Sequence, residues 1–236
     1  MITVDIRGVT YAYPGGVRAL DGVDLAIGSG EALAIIGQNG SGKSTLVRHL
    51  NGLLRPDKGQ VLLDGSPVAR RHVAELARLV GLAFQDPDRQ IFAGSVRAEV
   101  AFGPRNLGLR GAALAQRVAE ALEEVGLAGF AEENPYDLGY SRRKLLSIAS
   151  VLAMRTPVVV LDEPTTGQDL RGVARVRAIV AALATAGRTV ITISHDMRFV
   201  AETYLEPPLA ARVGARLGVG STPTEASLVE ALAGRA

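Results

Sequence analysis

The sequence has no cysteine and no tryptophan, and aromatic residues make up only 4% of its 236 positions. The lack of cysteine excludes disulfide bonds and thiolate metal sites, and it leaves the redox compartment open. A surface that stacks on nucleic-acid bases needs interleaved aromatic rings. The scarcity of such rings therefore predicts a protein without a nucleic-acid partner.

Long apolar runs and long runs of one charge are also missing. The most apolar region, 147–161, is interrupted by Arg155 and Pro157, which leaves it well short of the ~20 apolar residues that span a bilayer. Asp5 and Arg7 interrupt the first apolar stretch, so we expect no signal peptide. The net charge is only +2. These features predict a soluble, cytoplasmic chain.

What the sequence does contain is material for a core, because 47% of its residues are hydrophobic. Three continuous apolar runs of strand length, 32–36, 158–161 and 189–193, each end in glycine or polar residues. Such runs are typical of strands buried on both faces of a parallel sheet. Helical patterns over 43–51 and 170–186 follow the first two runs. Strands that alternate with helices predict an α/β fold with a mainly parallel sheet, whose ligands bind at the carboxyl ends of the strands.

The remaining segments predict two additions to this core. Residues 2–13 and 23–27 have the composition of short β segments separated by a turn. Helical periodicity dominates between 85 and 150, over 113–125 and 142–154, and indicates an inserted helical lobe. We therefore expect an α/β core of 1–85 and 156–200, a helical subdomain of 86–155 and a short tail of 201–236.

The most informative pattern is the segment Gly37-Gln38-Asn39-Gly40-Ser41-Gly42-Lys43-Ser44-Thr45, between a predicted buried strand and a predicted helix. Glycines let the backbone wrap around phosphates, and consecutive N–H groups at a helix start supply a positive field. Lys43 adds a charge for the β- and γ-phosphates, and the Ser44 hydroxyl is placed for Mg²⁺. The alternative is a glycine-rich turn that matches by chance, which the flanking strand and helix disfavour. The predicted nucleotide ligands are Gly37, Asn39, Gly40, Ser41, Gly42, Lys43, Ser44 and Thr45.

Two other strand ends carry polar residues that suit the same chemistry. Asp162 and Glu163 follow the second apolar run; one carboxylate can hold a hydrated Mg²⁺ and the other can orient the attacking water. The alternative is an acidic pair that caps a strand and contacts only solvent. His195 follows the third run and could contact the γ-phosphate, although a lone histidine is more often structural.

Taken together, these elements resemble the ATPase domain of ABC transporters, and the similarity extends to about residue 200. The segment 37–45 resembles the Walker A loop, and Val158–Glu163 resembles Walker B followed by the catalytic glutamate. The resemblance implies a P-loop (RecA-like) core with an antiparallel β subdomain and an inserted helical subdomain. It also implies ATP hydrolysis with ATP and Mg²⁺ as the bound groups.

The resemblance assigns roles to residues outside the two Walker segments. Gln85, after a predicted strand over 79–84, corresponds to the Q-loop glutamine, which implies a catalytic and a metal-side role. Asp169 corresponds to the D-loop aspartate and His195 to the switch histidine. Tyr13 is similar to the aromatic residue that stacks on adenine, and Tyr11 is a competing candidate.

Three shorter segments, 13–16, 49–54 and 84–92, are similar to the ATPase subunits of energy-coupling-factor importers. Those importers take up vitamins and transition-metal ions such as cobalt or nickel. This similarity implies three partners: a transmembrane coupling protein, a substrate-binding membrane subunit and a second ATPase subunit, identical or different. It also implies a position at the cytoplasmic face of the cell membrane.

The chain departs from the family at the signature sequence Leu-Ser-Gly-Gly-Gln, which in the family closes over the γ-phosphate held by the opposite subunit. The corresponding stretch here is Leu138-Gly139-Tyr140-Ser141-Arg142. Tyr140 replaces a glycine and hinders close backbone approach, whereas Ser141 at a helix start still offers a hydroxyl and N–H groups. We expect a variant signature in which Ser141 contacts nucleotide. If the chain pairs with a different ATPase subunit, we expect poor hydrolysis at the site that uses this signature.

A second departure is length. After His195 the family continues with a strand pair and a longer tail, whereas here 198–203 runs almost directly into 205–208. Roughly two dozen residues are missing by this comparison, which leaves the last part of the sheet unassigned.

Three functions are compatible with these residues. The favoured one is a transport ATPase. A non-transport ABC ATPase, acting in repair, translation or cluster assembly, is disfavoured because no long coiled coil or duplicated domain is present. A regulatory subunit that binds nucleotide without hydrolysis is disfavoured because the Walker residues, the glutamate and the histidine are intact.

Overall fold

The computed structural model describes residues 2–205, 216–221 and 225–229, which form two β-sheets and a layer of helices. The strands are β1 (Val4–Ala12), β2 (Arg18–Ile27), β3 (Ala32–Gly37), β4 (Lys58–Leu63), β5 (Ser66–Pro67), β6 (Val80–Ala83), β7 (Val158–Asp162), β8 (Thr189–Ile193), β9 (Arg216–Ser221) and β10 (Glu225–Val229). The α-helices are α1 (Lys43–Arg48), α2 (Val73–Leu76), α3 (Val96–Asn106), α4 (Gly111–Glu124), α5 (Tyr140–Met154), α6 (Leu170–Thr185) and α7 (Met197–Val200).

The larger sheet has the strand order β10-β9-β3-β8-β7-β6, and the pairs from β3 through β6 are parallel. Its central strands are buried on both faces, as their continuous apolar runs predict. In β3, Leu33 and Ile35 pack into one core, and Ala34 and Ile36 pack into another. This alternation follows from the two-residue period of a strand. The prediction of an α/β fold with a mainly parallel sheet is confirmed.

The smaller sheet is antiparallel, in the order β2-β1-β4-β5. Its strand β2 begins at Arg18, five residues before the predicted start at residue 23, so that boundary was wrong. The β1–β2 register shifts twice between Val9 and Ala12, and Gly22 has φ +65°. This irregularity interrupts the alternation of buried and exposed side chains, which hides the strand from a period-two pattern.

The helical layer contains α3, which the periodicity did not predict, together with α4 and α5. Helix α3 includes Gly103 and Pro104, two residues that disfavour helix interiors. Its start is nevertheless capped, because the Ser95 side chain accepts a hydrogen bond of 3.2 Å from the backbone N–H of Ala98. The division into a core, a helical subdomain and a tail stays a prediction.

The segment after residue 205 also contributes strands. The backbone of β9 pairs with β3 in parallel, and β10 pairs with β9 in antiparallel orientation, so the end of the sheet that the sequence left unassigned is built from residues of the predicted tail. The other parts of that tail, 206–215, 222–224 and 230–236, lie outside the described residues. None of the helices in the described part of the chain has the length and apolar character that crossing a bilayer requires.

Candidate nucleotide-binding site

The glycine-rich loop connects the end of β3 to the start of α1 at the carboxyl edge of the larger sheet. Two of its residues need to be glycine: Gly40 has φ +84° and Gly42 has φ +87°, a region that side-chain-bearing residues avoid. A Cβ on Gly42 would also lie 2.3 Å from the carbonyl oxygen of Ala19. The conformation of the loop therefore requires glycine at both positions. The loop presents backbone N–H groups at a helix N-terminus.

Lys43 is held at the centre of this loop. Its Nζ donates hydrogen bonds to the carbonyl oxygens of Gly37, at 2.8 Å, and Gln38, at 2.7 Å. Burial lowers the pKa of the ammonium, and the charges of Glu163 and Asp162 oppose that shift. The ammonium is thus positioned in the anion-binding loop with two uncharged carbonyl partners, which negatively charged phosphate oxygens can replace.

Asp162 ends β7 and is 2% exposed. Its Oδ1 is buried and has no hydrogen-bond partner in the structure. Burial raises the pKa of this carboxyl, and a hydrogen bond from Ser44 and the charge of Lys144 act in the opposite direction. An unpartnered carboxylate oxygen beside a hydroxyl is a donor set that a hard divalent cation prefers. Both residues therefore fit the predicted Mg²⁺ site.

Glu163 lies directly after β7, with φ +48° and a side chain that is 4% exposed. A non-glycine residue in this region is strained, and such strain is concentrated at functional sites. Its Oε2 lies 2.8 Å from His195 Nδ1 and accepts a hydrogen bond of 3.3 Å from the His195 backbone N–H. The structure therefore brings the predicted water-orienting glutamate and the predicted switch histidine into direct contact.

An open cleft of about 440 Å³ joins the loop to Glu163. It is lined by Tyr13, Gln85 and Glu163 and by the loop and helix start from Asn39 to Thr45. The Tyr13 hydroxyl lies 3.0 Å from Thr45 Oγ1. Tyr11 packs instead against the core beneath the antiparallel sheet, and its ring centroid is 5.1 Å from that of His49. Of the two tyrosines, the structure places Tyr13 in the cleft.

Two predicted nucleotide contacts lie away from this cleft. Ser141, at the start of α5, donates a hydrogen bond of 3.0 Å to Gln168 Oε1, and Gln168 Nε2 donates one of 3.0 Å to the Ser141 carbonyl oxygen. Asp169 caps α6 by accepting a hydrogen bond of 2.8 Å from the Gly172 N–H. Neither Ser141 nor Asp169 lines the cleft of its own chain.

Sequence reasoning missed other residues at or near the site. Val17 and Arg18 line the cleft between Tyr13 and the loop; their position directly after the predicted turn was the available indication. Lys144 is fully buried behind the site, and its place in a short basic cluster of the sequence gave no indication of burial. Gln168, which directly precedes Asp169 in the chain, was not among the predicted site residues.

A phosphate-binding loop between a parallel strand and a helix, with an acidic pair at a neighbouring strand tip, defines the class of P-loop nucleoside triphosphatases. Residues 20–166 match the family described as ABC transporter, and the chain belongs to that family. The predicted resemblance is therefore confirmed, and the chain is an ATP-binding ATPase of the ABC type.

Two curated relatives illustrate the similarity. The energy-coupling factor transporter ATP-binding protein EcfA of Methanothermobacter thermautotrophicus is 40% identical over 224 residues, which cover 94% of this chain and 71% of that protein. A putative ABC transporter ATP-binding protein of Caldanaerobacter subterraneus is 44% identical over 201 residues, 85% of this chain. The chain spans only 35% of the length of that second relative.

Solved structures of ATP-binding cassettes are also similar to this chain. The structure of cbiO1 from Clostridium perfringens, described as part of the ABC transporter complex cbiONQ, has a TM-score of 0.75 and 33% identity, and the match covers 92% of this chain and 83% of that one. A dimeric ATP-binding cassette in a post-hydrolysis state, bound to ADP and Pi, has a TM-score of 0.80 and 26% identity, with 92% and 94% coverage.

Proposed function

We propose that this chain binds and hydrolyses ATP to drive an importer of the energy-coupling-factor type, whose substrate is a vitamin or a transition-metal ion. The observation that carries the proposal is the cleft itself. The loop around Lys43 lines it together with Gln85 and Glu163, and Asp162, whose Oδ1 has no hydrogen-bond partner, directly precedes Glu163 in the chain. The names of the relatives EcfA and cbiO1 support the transporter class.

The mechanism derives from the positions of these groups. Lys43 and the loop N–H groups hold the phosphates and neutralise charge that develops on them. Ser44 and Asp162, with Gln85 beside them, would hold Mg²⁺, which would neutralise negative charge on the phosphates. Among the described residues, no group of three or more His, Cys, Asp or Glu side chains could hold a metal ion alone. This agrees with a Mg²⁺ that shares its ligands with phosphates and water.

Glu163 acts on the attacking water in this proposal. Its carboxylate is almost entirely buried and bonds to His195 through the ring and the backbone. Two contacts to one oxygen hold the carboxylate in a single orientation, so the other oxygen, Oε1, can accept a hydrogen bond from water. His195 is 58% exposed, so the ring nitrogen that does not bond to Glu163, Nε2, is available to the γ-phosphate. The Tyr13 ring would stack on adenine at the opposite end of the cleft.

A second ATPase subunit is part of the proposal. Ser141 and Asp169 lie outside the cleft of their own chain, so they can contact nucleotide only across an interface with another subunit. The dimeric cassette bound to ADP and Pi supports such an arrangement. Two subunits would then enclose two nucleotides, each held by one chain's loop and closed by the other's signature segment.

A membrane partner is supported by the surface that follows Gln85. Phe92 and Phe102 are 60% and 49% exposed, and their rings contact each other edge to face with centroids 4.8 Å apart. Tyr136, 54% exposed, donates a hydrogen bond of 2.9 Å to the carbonyl oxygen of Ile91 beside them. We assign this aromatic surface to the contact with the transmembrane coupling protein, at the cytoplasmic face of the membrane.

Lys43→Ala tests the ATPase part of the proposal. The variant removes the phosphate-binding charge, so Mg²⁺-dependent ATP binding should weaken by about 10²-fold and turnover should fall to background. Lys58→Ala is the matched control, because Lys58 is exposed in β4 and lies outside the cleft. Binding is measured with the purified chain and turnover with the complex that it isolates. Equal nucleotide affinity in both variants would contradict the proposal.

Co-purification tests the transport part and separates it from a non-transport ATPase. The chain should isolate a multi-spanning membrane protein, and Phe92→Asp with Phe102→Asp should abolish that association while ATP binding persists. Val73→Asp, a charge placed on an exposed apolar residue of α2, should leave the association intact. Isolation of soluble proteins alone would favour the non-transport alternative.

A further inference from the structure

Lys144 is a buried cation behind the site. It is the fifth residue of α5 and is 0% exposed. Burial lowers the pKa of this ammonium to about 8, against the opposing charges of Asp162 and Glu163. A charged group is kept in such a place only where its hydrogen-bonding capacity is satisfied, because an unpaired buried charge is strongly destabilising. The partners of Lys144 are therefore informative.

The three partners are all main-chain carbonyl oxygens. Nζ donates hydrogen bonds of 2.8 Å to Phe84, 2.8 Å to Gln85 and 2.7 Å to Asp162. An ammonium has three donors, so each of them is used once. Phe84 and Gln85 follow β6, and Asp162 is the last residue of β7. One side chain of α5 thus joins the ends of two neighbouring strands.

Two of the residues that supply these carbonyls also carry side chains of the proposed metal site. Gln85 is exposed, lines the cleft and lies in the irregular segment after β6, so a contact that fixes its backbone also restricts the direction of its side chain. The bond to Lys144 is such a contact. None of the three hydrogen bonds of Lys144 goes to the phosphate-binding loop, where Lys43 bonds to the carbonyl oxygens of Gly37 and Gln38. The influence of Lys144 is therefore confined to the metal and water side of the cleft.

Helix α5 begins with the variant signature segment, and Ser141 lies one helical turn before Lys144. The same helix is thus tied at its first turn to Gln168 and at its second to Gln85 and Asp162. A displacement of α5 relative to the sheet would be transmitted to the metal side of the site, or would break these bonds.

We propose that Lys144 is a positioning residue for ATP hydrolysis: through its three carbonyl contacts it holds Gln85 and Asp162 in register with α5, so that turnover depends on it far more than nucleotide binding does. This inference rests on the proposed function of the cleft. It predicts that substitution of Lys144 lowers kcat while the Kd for Mg·ATP stays nearly unchanged. A general loss of stability would not produce this combination.

Lys144→Gln tests the inference in the complex isolated through this chain. A glutamine amide offers two donors for three carbonyls and no charge. Turnover at saturating Mg·ATP should fall by about 10- to 100-fold, as misplacement of catalytic groups does, and the Mg²⁺ concentration for half-maximal turnover should rise. The Kd of the purified chain for Mg·ATP should stay within about three-fold of the original.

Lys144→Arg should give a turnover between those of the original chain and Lys144→Gln, because it keeps the charge but presents its donors in a planar fork. Ser147→Ala is the matched control. Ser147 is also fully buried in α5, but its hydroxyl donates only to the Lys144 carbonyl oxygen within the helix. This variant should keep its turnover and its Mg²⁺ dependence.

Turnover of Lys144→Gln within about two-fold of the original chain would overturn the inference. So would a loss of nucleotide affinity in proportion to the loss of turnover, or an equal loss in Ser147→Ala. Where Lys144→Gln does not fold, original turnover in Lys144→Arg overturns it. An original chain that binds no Mg·ATP would instead contradict the proposed function, which is a separate outcome.

Discussion

Gly42 shows how one residue of the loop is determined by two independent constraints. Its φ of +87° disfavours any side chain, and a Cβ at this position would lie only 2.3 Å from the Ala19 carbonyl oxygen. The first constraint is a property of the residue alone, whereas the second depends on the packing of the loop against β2. A glycine that has a positive φ but free space around its Cβ position allows the two energetic costs to be measured separately.

Gly42→Ala should therefore be more destabilising than Gly16→Ala. Gly16 has φ +85° and nothing within 4 Å of a Cβ, so its substitution should cost only the ~1–2 kcal/mol of a left-handed backbone. The clash at Gly42 should add about 1–3 kcal/mol. Urea unfolding without nucleotide measures both values. Equal costs would show that the loop relaxes away from Ala19.

At the residue scale, the sequence predicts most of the cleft but not what lies behind it. The loop residues, Gln85 and Glu163 line one cleft, because strand ends of a parallel sheet meet at one edge and motif spacing identifies those ends. Lys144 and Gln168 were missed because their importance comes from contacts between distant segments. Such contacts are not encoded in local spacing.

At the scale of elements, the start of α5 and the loop after β7 pack against each other through two specific contacts. The reciprocal hydrogen bonds of Ser141 and Gln168 form one contact. The Tyr140 ring and Gly167 form the other, since a Cβ on Gly167 would lie 2.6 Å from Tyr140 Cδ1. The variant residues of the signature segment thus have matching residues in the loop, which indicates a specific arrangement of these two segments.

This match predicts a coupling between Tyr140 and Gly167. Gly167 has φ +72°, so Gly167→Ala should cost about 2–4 kcal/mol from backbone strain and the clash with the ring together. In a Tyr140→Ala background only the strain remains, and the cost should fall by about 1–2 kcal/mol. A double-mutant cycle of unfolding free energies measures this coupling. Additive costs would mean that the ring moves aside freely.

The sequence predicted the buried strands of the larger sheet but missed the start of β2 and the whole of α3. The strands β3, β7 and β8 were predicted because burial on both faces leaves an uninterrupted apolar run. The start of β2 was missed where the register shifts, and α3 was missed because Gly103 and Pro104 oppose its local propensity. Tertiary packing of residues such as Val96 and Val100, both fully buried, outweighs that propensity.

At the scale of the whole molecule, the proposed function gives each chain two separate regions that would contact nucleotide. The cleft is lined by the loop, Gln85 and Glu163, whereas no residue of the segment 138–142 lines it. In the proposed two-subunit assembly, the partner's signature would complete the site built on this chain's cleft. The variant segment, in which Tyr140 stands where the family has glycine, would complete the partner's cleft.

Two different sites in one assembly should respond differently to the same chemical change. Glu163→Gln removes the water-orienting carboxylate from the site that the partner's signature completes. If the partner is a different ATPase subunit with the family's signature, turnover should fall by about 10²–10⁴-fold. The equivalent change in the partner should reduce turnover by less than about two-fold, because the site completed by the variant segment contributes little to turnover.

The control for this comparison is restoration of the signature, through Gly139→Ser, Tyr140→Gly, Ser141→Gly and Arg142→Gln in one chain. Restoration removes the bulk of Tyr140 and the Ser141 side chain, so the backbone can approach the partner's γ-phosphate closely. Turnover should then become sensitive to the partner's glutamate as well. Equal losses from the two glutamate changes in the original complex, measured as steady-state ATP hydrolysis, would show that the variant segment supports hydrolysis as well as the family's sequence does.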